Sequence, residues 1–346
     1  MKCVKCGVGE ALFSGICSEC MWEALEINKP SVINKTTCPK CGSIKVGNYW
    51  SHREPEIAWF KTVAKEFSAN TPFAVKEINN FGLNKLEDEA SMDISIDLRL
   101  GNDEISERVF QVNVPYTRDS ISCPTCNKIT GSYYEAKVQI RGFSERLNPE
   151  LENIANELVK RVETTQTKDP NSFISKVVNV KEGVDVYLGK KKDGDTFSRE
   201  IVQRDVCQLI VSSSLAGIRD GKQFFRFTYM LRILDFEKGS IIYVNKEKYI
   251  YVGKTSSGIF VISPGVNEPK LMRKATISLD RIRNTGEMAI EEKFIVINRQ
   301  GDEMTLLNER DFKQVTVKGK VYKDYKNESI RLLKYDDFYY FSDVVS

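Results

Sequence analysis

Four Cys-x-x-Cys pairs lie within the first 126 residues: Cys3/Cys6, Cys17/Cys20, Cys38/Cys41 and Cys123/Cys126. A two-residue gap lets both sulfurs of one tight turn point at the same ion. Two such turns complete a tetrahedral thiolate shell, the arrangement that suits zinc. A redox Cys-x-x-Cys occurs as a single copy at a helix start beside a strand, so four copies argue against that chemistry. Two four-cysteine sites leave no open coordination position, so two structural Zn2+ are expected. Ten residues separate Cys6 from Cys17, which pairs those knuckles. Cys38/Cys41 must then close with Cys123/Cys126 across 81 residues. Such an insertion is tolerable because loop-closure entropy grows only logarithmically. Gly7 and Gly42 follow the second cysteine of their pairs, where positive φ is easy for glycine. Pro39 and Pro124 follow the first cysteine of theirs, where a fixed φ starts a turn.

The ninth cysteine, Cys207, sits in an apolar run with Val206, Leu209 and Ile210. It is expected to be a buried, inert thiol on a helix. The chain has one His, which argues against a Ser-His-Asp triad or a His-rich metal site. At 41% hydrophobic and 29% charged over 346 residues it has the make-up of two or three globular domains. A net charge of +3 means that any nucleic-acid affinity must come from local patches. No basic-then-apolar leader opens the sequence and no apolar run reaches membrane-helix length, so a cytoplasmic protein is expected. No glycine-rich phosphate loop, nucleophile elbow or spaced carboxylate cluster is present, which points away from an enzyme.

The pattern predicts a multidomain α+β chain. Residues 1–131 form the zinc-ribbon or knuckle domain. Within its insertion Trp59, Val63, Ala64 and Phe67 recur at helical spacing. Ile94, Ile96, Leu98 and Leu100 then alternate as a strand, Gly101-Asn102-Asp103 supplies a turn, and Phe110, Val112 and Val114 return. Trp50, His52, Arg53 and Trp59 form an aromatic-basic cluster. It has two readings, stacking on RNA bases or core packing, and core packing is expected for both Trp.

Residues 132–236 read as a central α/β sandwich. Tyr134, Ala136, Val138 and Ile140 alternate with polar residues, and Leu147, Leu151, Ile154, Leu158 and Val162 mark a helix. A hairpin spans 177–188. Asp195 is placed as the cap of a helix carrying Phe197, Ile201, Val202, Val206, Leu209 and Ile210. Phe225, Phe227, Tyr229, Leu231 and Ile233 form the last strand. The element order implies a mixed or antiparallel sheet with helices on one face. Its other face would carry Lys137, Gln139, Arg141, Arg226 and Arg232, with Lys190, Lys191 and Lys192 after the hairpin. That face is either an RNA surface or ordinary solvated strand.

Residues 237–346 change to short alternating runs broken by glycines, as in small β-barrels. They divide into an SH3-like part, about 237–288, and an OB-like part, about 289–346. Lys246 and Lys248 fall in a predicted hairpin turn, where they contact phosphate or keep an edge soluble.

The split second zinc site, the run Tyr134-Glu135-Ala136-Lys137-Val138-Gln139-Ile140-Arg141, Gly183-Val184-Asp185-Val186-Tyr187, Ser212–Gly217 and Arg226–Arg232 together resemble the nonsense-mediated mRNA decay protein three family. Its members are adaptors for export of the large (60S) ribosomal subunit. The resemblance implies a non-enzymatic protein that binds the intersubunit face of that subunit and contacts rRNA and ribosomal proteins. It implies a zinc domain near the anti-association initiation factor six homologue. It also implies a translation factor five-A-like C-terminal domain near the transfer-RNA exit site and the L1 stalk, and a middle domain similar to a large-subunit ribosomal protein. Eukaryotic members carry a C-terminal tail with transport signals. This chain stops at Phe341-Ser342-Asp343-Val344-Val345-Ser346, as expected of a short archaeal-type member. The alternative is a zinc-ribbon RNA- or DNA-binding protein that acts in transcription or RNA processing without the ribosome.

Overall fold

The computed structural model describes residues 1–341 except 13, 87–88, 101–105, 220 and 321–325. The expected turn at Gly101-Asn102-Asp103 and the last five residues lie outside the described residues. The chain divides into two compact units, Met1–Asn127 and Lys128–Ser346.

The first unit comprises α1 (Ser18–Trp22), β1 (Ile27–Asn28), β2 (Ile33–Thr37), β3 (Ile44–Val46), β4 (Tyr49–Ser51), α2 (Pro55–Ala64), β5 (Ser68–Ala69), β6 (Phe73–Leu86), β7 (Glu89–Leu100) and β8 (Ser106–Ser120), with α3 (Pro124–Thr130) beginning at its end. The strict alternation of Ile94, Ile96, Leu98 and Leu100 does make a strand, and all four side chains are fully buried. The hairpin β7–β8 belongs to a larger six-stranded sheet, ordered β4-β3-β2-β8-β7-β6. Its edge strand β6 was not anticipated. The sequence there, Phe73-Ala74-Val75-Lys76-Glu77-Ile78-Asn79, breaks alternation, and two register shifts against β7 accommodate the break. Trp59 and Val63 of α2 point into the same core as Trp22 and Phe73. Trp59 is therefore a core residue, its indole Nε1 donating to the Asn34 carbonyl at 3.2 Å.

The second unit continues with β9 (Ala136–Gly142), α4 (Pro149–Gln166), β10 (Ile174–Val180), β11 (Gly183–Leu188), α5 (Lys191–Arg204), β12 (Cys207–Arg219) and β13 (Lys222–Ile233). These strands form a mixed sheet, β10-β11-β9-β13-β12, in which only β9 and β13 run parallel. Helices α4 and α5 share one buried cluster with Ala136, Val138, Ile140, Val186 and Leu231, so both helices cover the same face. Helix α4 starts where Asn148 caps it, its side chain accepting from Leu151 N, with Pro149 next.

Two expectations fail here. Helix α5 begins at Lys191, not at Asp195, and ends at Arg204. Gly194 is no helix breaker. It lies inside α5 where a Cβ would meet Leu188, Tyr229 and Val138 at 3.2–3.3 Å, so it lets the helix lie close on the sheet. Asp195 pairs instead with Arg199 at 3.0 Å, one turn on. Val206 lies beyond the helix, and Cys207, Leu209 and Ile210 belong to strand β12. Asp205 turns the chain to extended geometry, and the β-branched run that follows pairs with β13 along its whole length. Cys207 is buried as expected, but on a strand.

The rest of the described residues is β apart from two short 3-10 turns, Lys274–Thr276 and Leu279–Arg281: β14 (Ser240–Val244), β15 (Glu247–Thr255), β16 (Gly258–Ile262), β17 (Pro269–Arg273), β18 (Ile282–Met288), β19 (Ile290–Gln300), β20 (Glu303–Asn308), β21 (Gln314–Lys318), β22 (Ser329–Tyr335) and β23 (Phe338–Phe341). They form two five-stranded antiparallel sheets, β17-β16-β15-β14-β18 and β21-β20-β19-β22-β23. The short alternating runs at 241–244, 249–252, 259–262, 294–297, 304–307, 315–317 and 338–341 are all strands, as expected. Three more, β17, β18 and β22, were not anticipated. Shared apolar seams join the layers: Phe143 and Leu234 pack with Tyr251 and Ile282, and Ile250 packs with Leu333 and Tyr340.

Candidate metal centres and a basic sheet face

Each cysteine cluster joins one turn to one helix start. In the first, Gly7 N donates to the Cys3 carbonyl at 2.9 Å, and Cys3 N donates to the Gly9 carbonyl at 2.9 Å. In the other, Gly42 N donates to the Cys38 carbonyl at 2.9 Å, and Cys38 N to the Ser43 carbonyl at 2.8 Å. Gly7 and Gly42 both have φ of +72°, the left-handed geometry expected after the second cysteine. The partner knuckles precede helices: Met21 N reaches the Cys17 carbonyl and Asn127 N the Cys123 carbonyl. The pairing is the expected one, Cys3/Cys6/Cys17/Cys20 and Cys38/Cys41/Cys123/Cys126.

Within each cluster all sulfurs lie within 4.8 Å of one another. Cys6 Sγ to Cys17 Sγ is 3.7 Å, and Cys41 Sγ to Cys123 Sγ is 3.7 Å. A disulfide needs about 2.05 Å. A tetrahedron with metal–sulfur bonds of about 2.3 Å has edges of about 3.8 Å. Backbone amides approach the sulfurs, as from Lys5 N to Cys3 Sγ at 3.4 Å and from Cys123 N to Cys38 Sγ at 3.3 Å.

The electrostatics agree. Backbone amides at Cys17 and Cys6 lower Cys3 to about 6. Burial opposes ionisation of Cys38, but the amides of Cys123, Cys41 and Lys40 outweigh it and bring that thiol to about 6. Burial and the three neighbouring sulfurs push Cys20 up to about 12, and burial leads the same effect on Cys126. Four crowded thiols cannot all ionise by themselves, whereas a dication at their centre would hold all four as thiolates. The donor set therefore fits a tetrahedral, thiolate-binding ion such as zinc.

Spacing alone missed two supporting residues. Gly9 packs directly on Cys17, and buried Ser43 Oγ lies 3.1 Å from Cys41 Sγ. Trp50 packs against Cys38, Cys123 and Cys126. His52 is half-buried, and burial lowers its pKa.

In the second unit the register puts Lys137, Gln139, Arg141, Arg226 and Arg232 on the sheet face opposite the helices. Charge there is partly compensated. Asp185, opposite Gln139, holds Arg141 Nη2 at 2.5 Å and Lys137 Nζ at 3.8 Å. With its amide turned so that both of its groups are satisfied, Gln139 bridges the cations, its oxygen accepting from Lys137 at 3.2 Å and Arg141 at 3.3 Å. Arg232 stacks on Phe143 and lies 3.6 Å from exposed Glu145. Lys190 pairs with Asp169 at 2.5 Å, and the Lys191 ammonium lies 3.5 Å from the Phe227 ring centroid. Lys192 is exposed in the first turn of α5. Lys246 occupies the β14–β15 turn with φ of +74°. Lys248 lies in β15, where it donates to the Tyr335 hydroxyl at 2.9 Å and approaches Glu287. Among the described residues, no helix is long and apolar enough to cross a membrane.

Comparison with known families gives two matches. Residues 3–131, which hold all eight clustered cysteines, match the N-terminal domain of NMD3, and residues 133–233, which hold the mixed sheet, match its second domain. No curated protein matches the chain.

Proposed function

The chain belongs to the NMD3 family, and on that ground we propose that it is a non-enzymatic adaptor of the large ribosomal subunit. It binds the intersubunit face during late biogenesis and blocks premature subunit joining or occupancy of the transfer-RNA sites. The observation that carries this reading is the paired family match across both cysteine clusters and the mixed sheet. A general role in ribosome biogenesis and association with the large subunit go with the family.

Each cluster holds one Zn2+ in this reading, as a structural ion. The first unit sits near the anti-association factor. Residues 237–346 act as the five-A-like domain at the transfer-RNA exit site and the L1 stalk. Strand order supports the SH3-like and OB-like assignments: β14 pairs with both β15 and β18, and β19 pairs with both β20 and β22. The helix-free face of the middle sheet, with Lys137, Gln139, Arg141, Arg226 and Arg232, is the rRNA-facing surface. Lys190–Lys192, Lys246 and Lys248 add peripheral cations.

The test is sedimentation with purified large subunits. Association at about one copy per subunit is expected at low salt, falling as salt rises because phosphate contacts release counterions. Absence from the large-subunit fraction at low salt would end this reading, and tight binding to free nucleic acid alone would favour the ribosome-independent one.

A further inference from the structure

The helix-free sheet face carries, at the Tyr187 end, a cluster of two tyrosines and three cations. The rings of Tyr134 and Tyr187 meet edge to face, 4.9 Å apart at 86°. The Arg226 guanidinium lies 4.3 Å from the Tyr134 centroid, and Lys176 Nζ 4.4 Å from that of Tyr187. Lys137 Nζ lies 5.8 Å from the Tyr187 ring. Among the described residues, no carboxylate pairs with Arg226 or Lys176, and Arg226 Nε is buried without a hydrogen-bond partner. Each ring holds its cation by cation–π attraction, yet half-buried Arg226 has a buried Nε with no hydrogen-bond partner, and Lys176 stays exposed and open to a further anion. Asp185 neutralises Arg141 at 2.5 Å toward the other end of β9 and reaches Lys137 only at 3.8 Å, so compensation is weighted away from the tyrosine pair.

We propose that Tyr134, Tyr187, Arg226, Lys137 and Lys176 form a binding site for an unpaired RNA nucleotide. One face of the guanidinium rests on Tyr134, and the base takes the other. Lys176 and Lys137 supply the cations for the adjoining phosphates. A planar cation on an aromatic ring beside two ammonium groups matches a base joined to its phosphates, and only unpaired nucleotides expose a base face. An A-form duplex hides those faces in its stack. The strand continues toward the cleft at the other end of the face. Arg226 and Arg232 are six residues apart on β13, a path of about 20 Å. It ends at a cavity of about 600 Å³ where Arg232, paired with Glu145 at 3.6 Å, and Arg283 stand beside Ser144, Asn284 and Thr285. A short single-stranded segment would therefore run from the tyrosine pair to this cleft. The inference rests on the reading that this face meets ribosomal RNA.

The experiment uses the full-length, zinc-loaded chain with a short single-stranded RNA containing 2-aminopurine, and a hairpin of the same composition. Preference for the single strand with quenching of the 2-aminopurine is expected. Arg226→Lys keeps the charge and removes the plane, so affinity should fall about tenfold and quenching should vanish. Exposed Lys176→Glu should weaken binding and reduce the salt slope by about one. Equal binding of strand and hairpin, or quenching unchanged in Arg226→Lys, overturns the site. So does equal competition by polyglutamate, which would mark a dock for acidic protein. Sedimentation separates the two ideas. Subunit binding with no single-strand preference removes the site and keeps the adaptor. Single-strand binding without subunit association keeps the site and removes the adaptor.

Discussion

A Cβ built on Gly9 would lie 2.8 Å from Cys17 Cβ and 2.9 Å from its Sγ, although Gly9 itself ligates nothing. Gly9→Ala must push one knuckle off the other, at a cost of about 1–3 kcal/mol for overpacking. Zinc transfer to a chromophoric chelator should show one of two ions leaving faster; identical release from wild type and variant would contradict the packing argument. Gly42 offers a contrast. It has φ of +72° but open space around a built Cβ, so Gly42→Ala meets only the backbone penalty, about 1 kcal/mol. Cys207 is buried on β12, and burial pushes its thiol up to about 11. Cys207→Ala should leave the metal content at about two zinc per chain, the number two all-cysteine sites require. Loss of one equivalent by elemental analysis would place Cys207 among the ligands. The eight clustered cysteines were legible because Cys-x-x-Cys is a local geometry. Gly9 and Ser43 were not, because their contacts depend on the path of the folded loops.

At the scale of elements, Asp235 decides how β13 leaves the middle sheet. Its carboxylate accepts from Ser144 N at 2.8 Å, Ser144 Oγ at 2.5 Å and Asn148 Nδ2 at 2.6 Å. It thereby pins the end of β9 and the cap of α4 to one point. Asp235→Ala removes the acceptor of these half-buried donors, at about 0.5–1.5 kcal/mol each. Gly142→Ala should act on the same point, since its Cβ would lie 2.0 Å from Asp235 Oδ2. Thermal unfolding of the full chain should show a lowered midpoint for both variants; wild-type midpoints would mean that the network contributes nothing. Lys254 makes a second tie, reaching Glu150 at 2.5 Å and Asp205 at 2.9 Å. Burial works against its charge, yet the two carboxylates hold its pKa above the ordinary value. Alternation revealed β7, β9 and β13 because one face of each is buried. It concealed β12, which mixes Ser212-Ser213-Ser214 with apolar residues, since an edge strand with exposed Val211 and Leu215 has little need of a two-residue period.

For the whole molecule, the two compact units predict separable responses to metal removal. Chelation should raise hydrogen exchange across residues 1–127 and leave the sheets of 128–346 protected, because closed zinc sites contribute directly to folding. Uniform protection loss would show that the second unit also depends on the ions. Charge reversal at Lys137, Arg141, Arg226 and Arg232 should weaken large-subunit sedimentation and flatten its salt dependence; unchanged association would return those residues to ordinary solvated strand. By itself the sequence determined the two four-cysteine sets, their pairing and most of the strands. Each of these depends on short-range spacing, on turn geometry or on a period of two. Only the tertiary structure decided which cations share a face and which of them are neutralised. Lys137 and Thr228 become neighbours through a parallel pairing of β9 and β13, and no local pattern sets that register. The same pairing brings Arg226 onto Tyr134 and leaves Asp185 to compensate Arg141, because charge balance on a sheet follows from strand order rather than from composition.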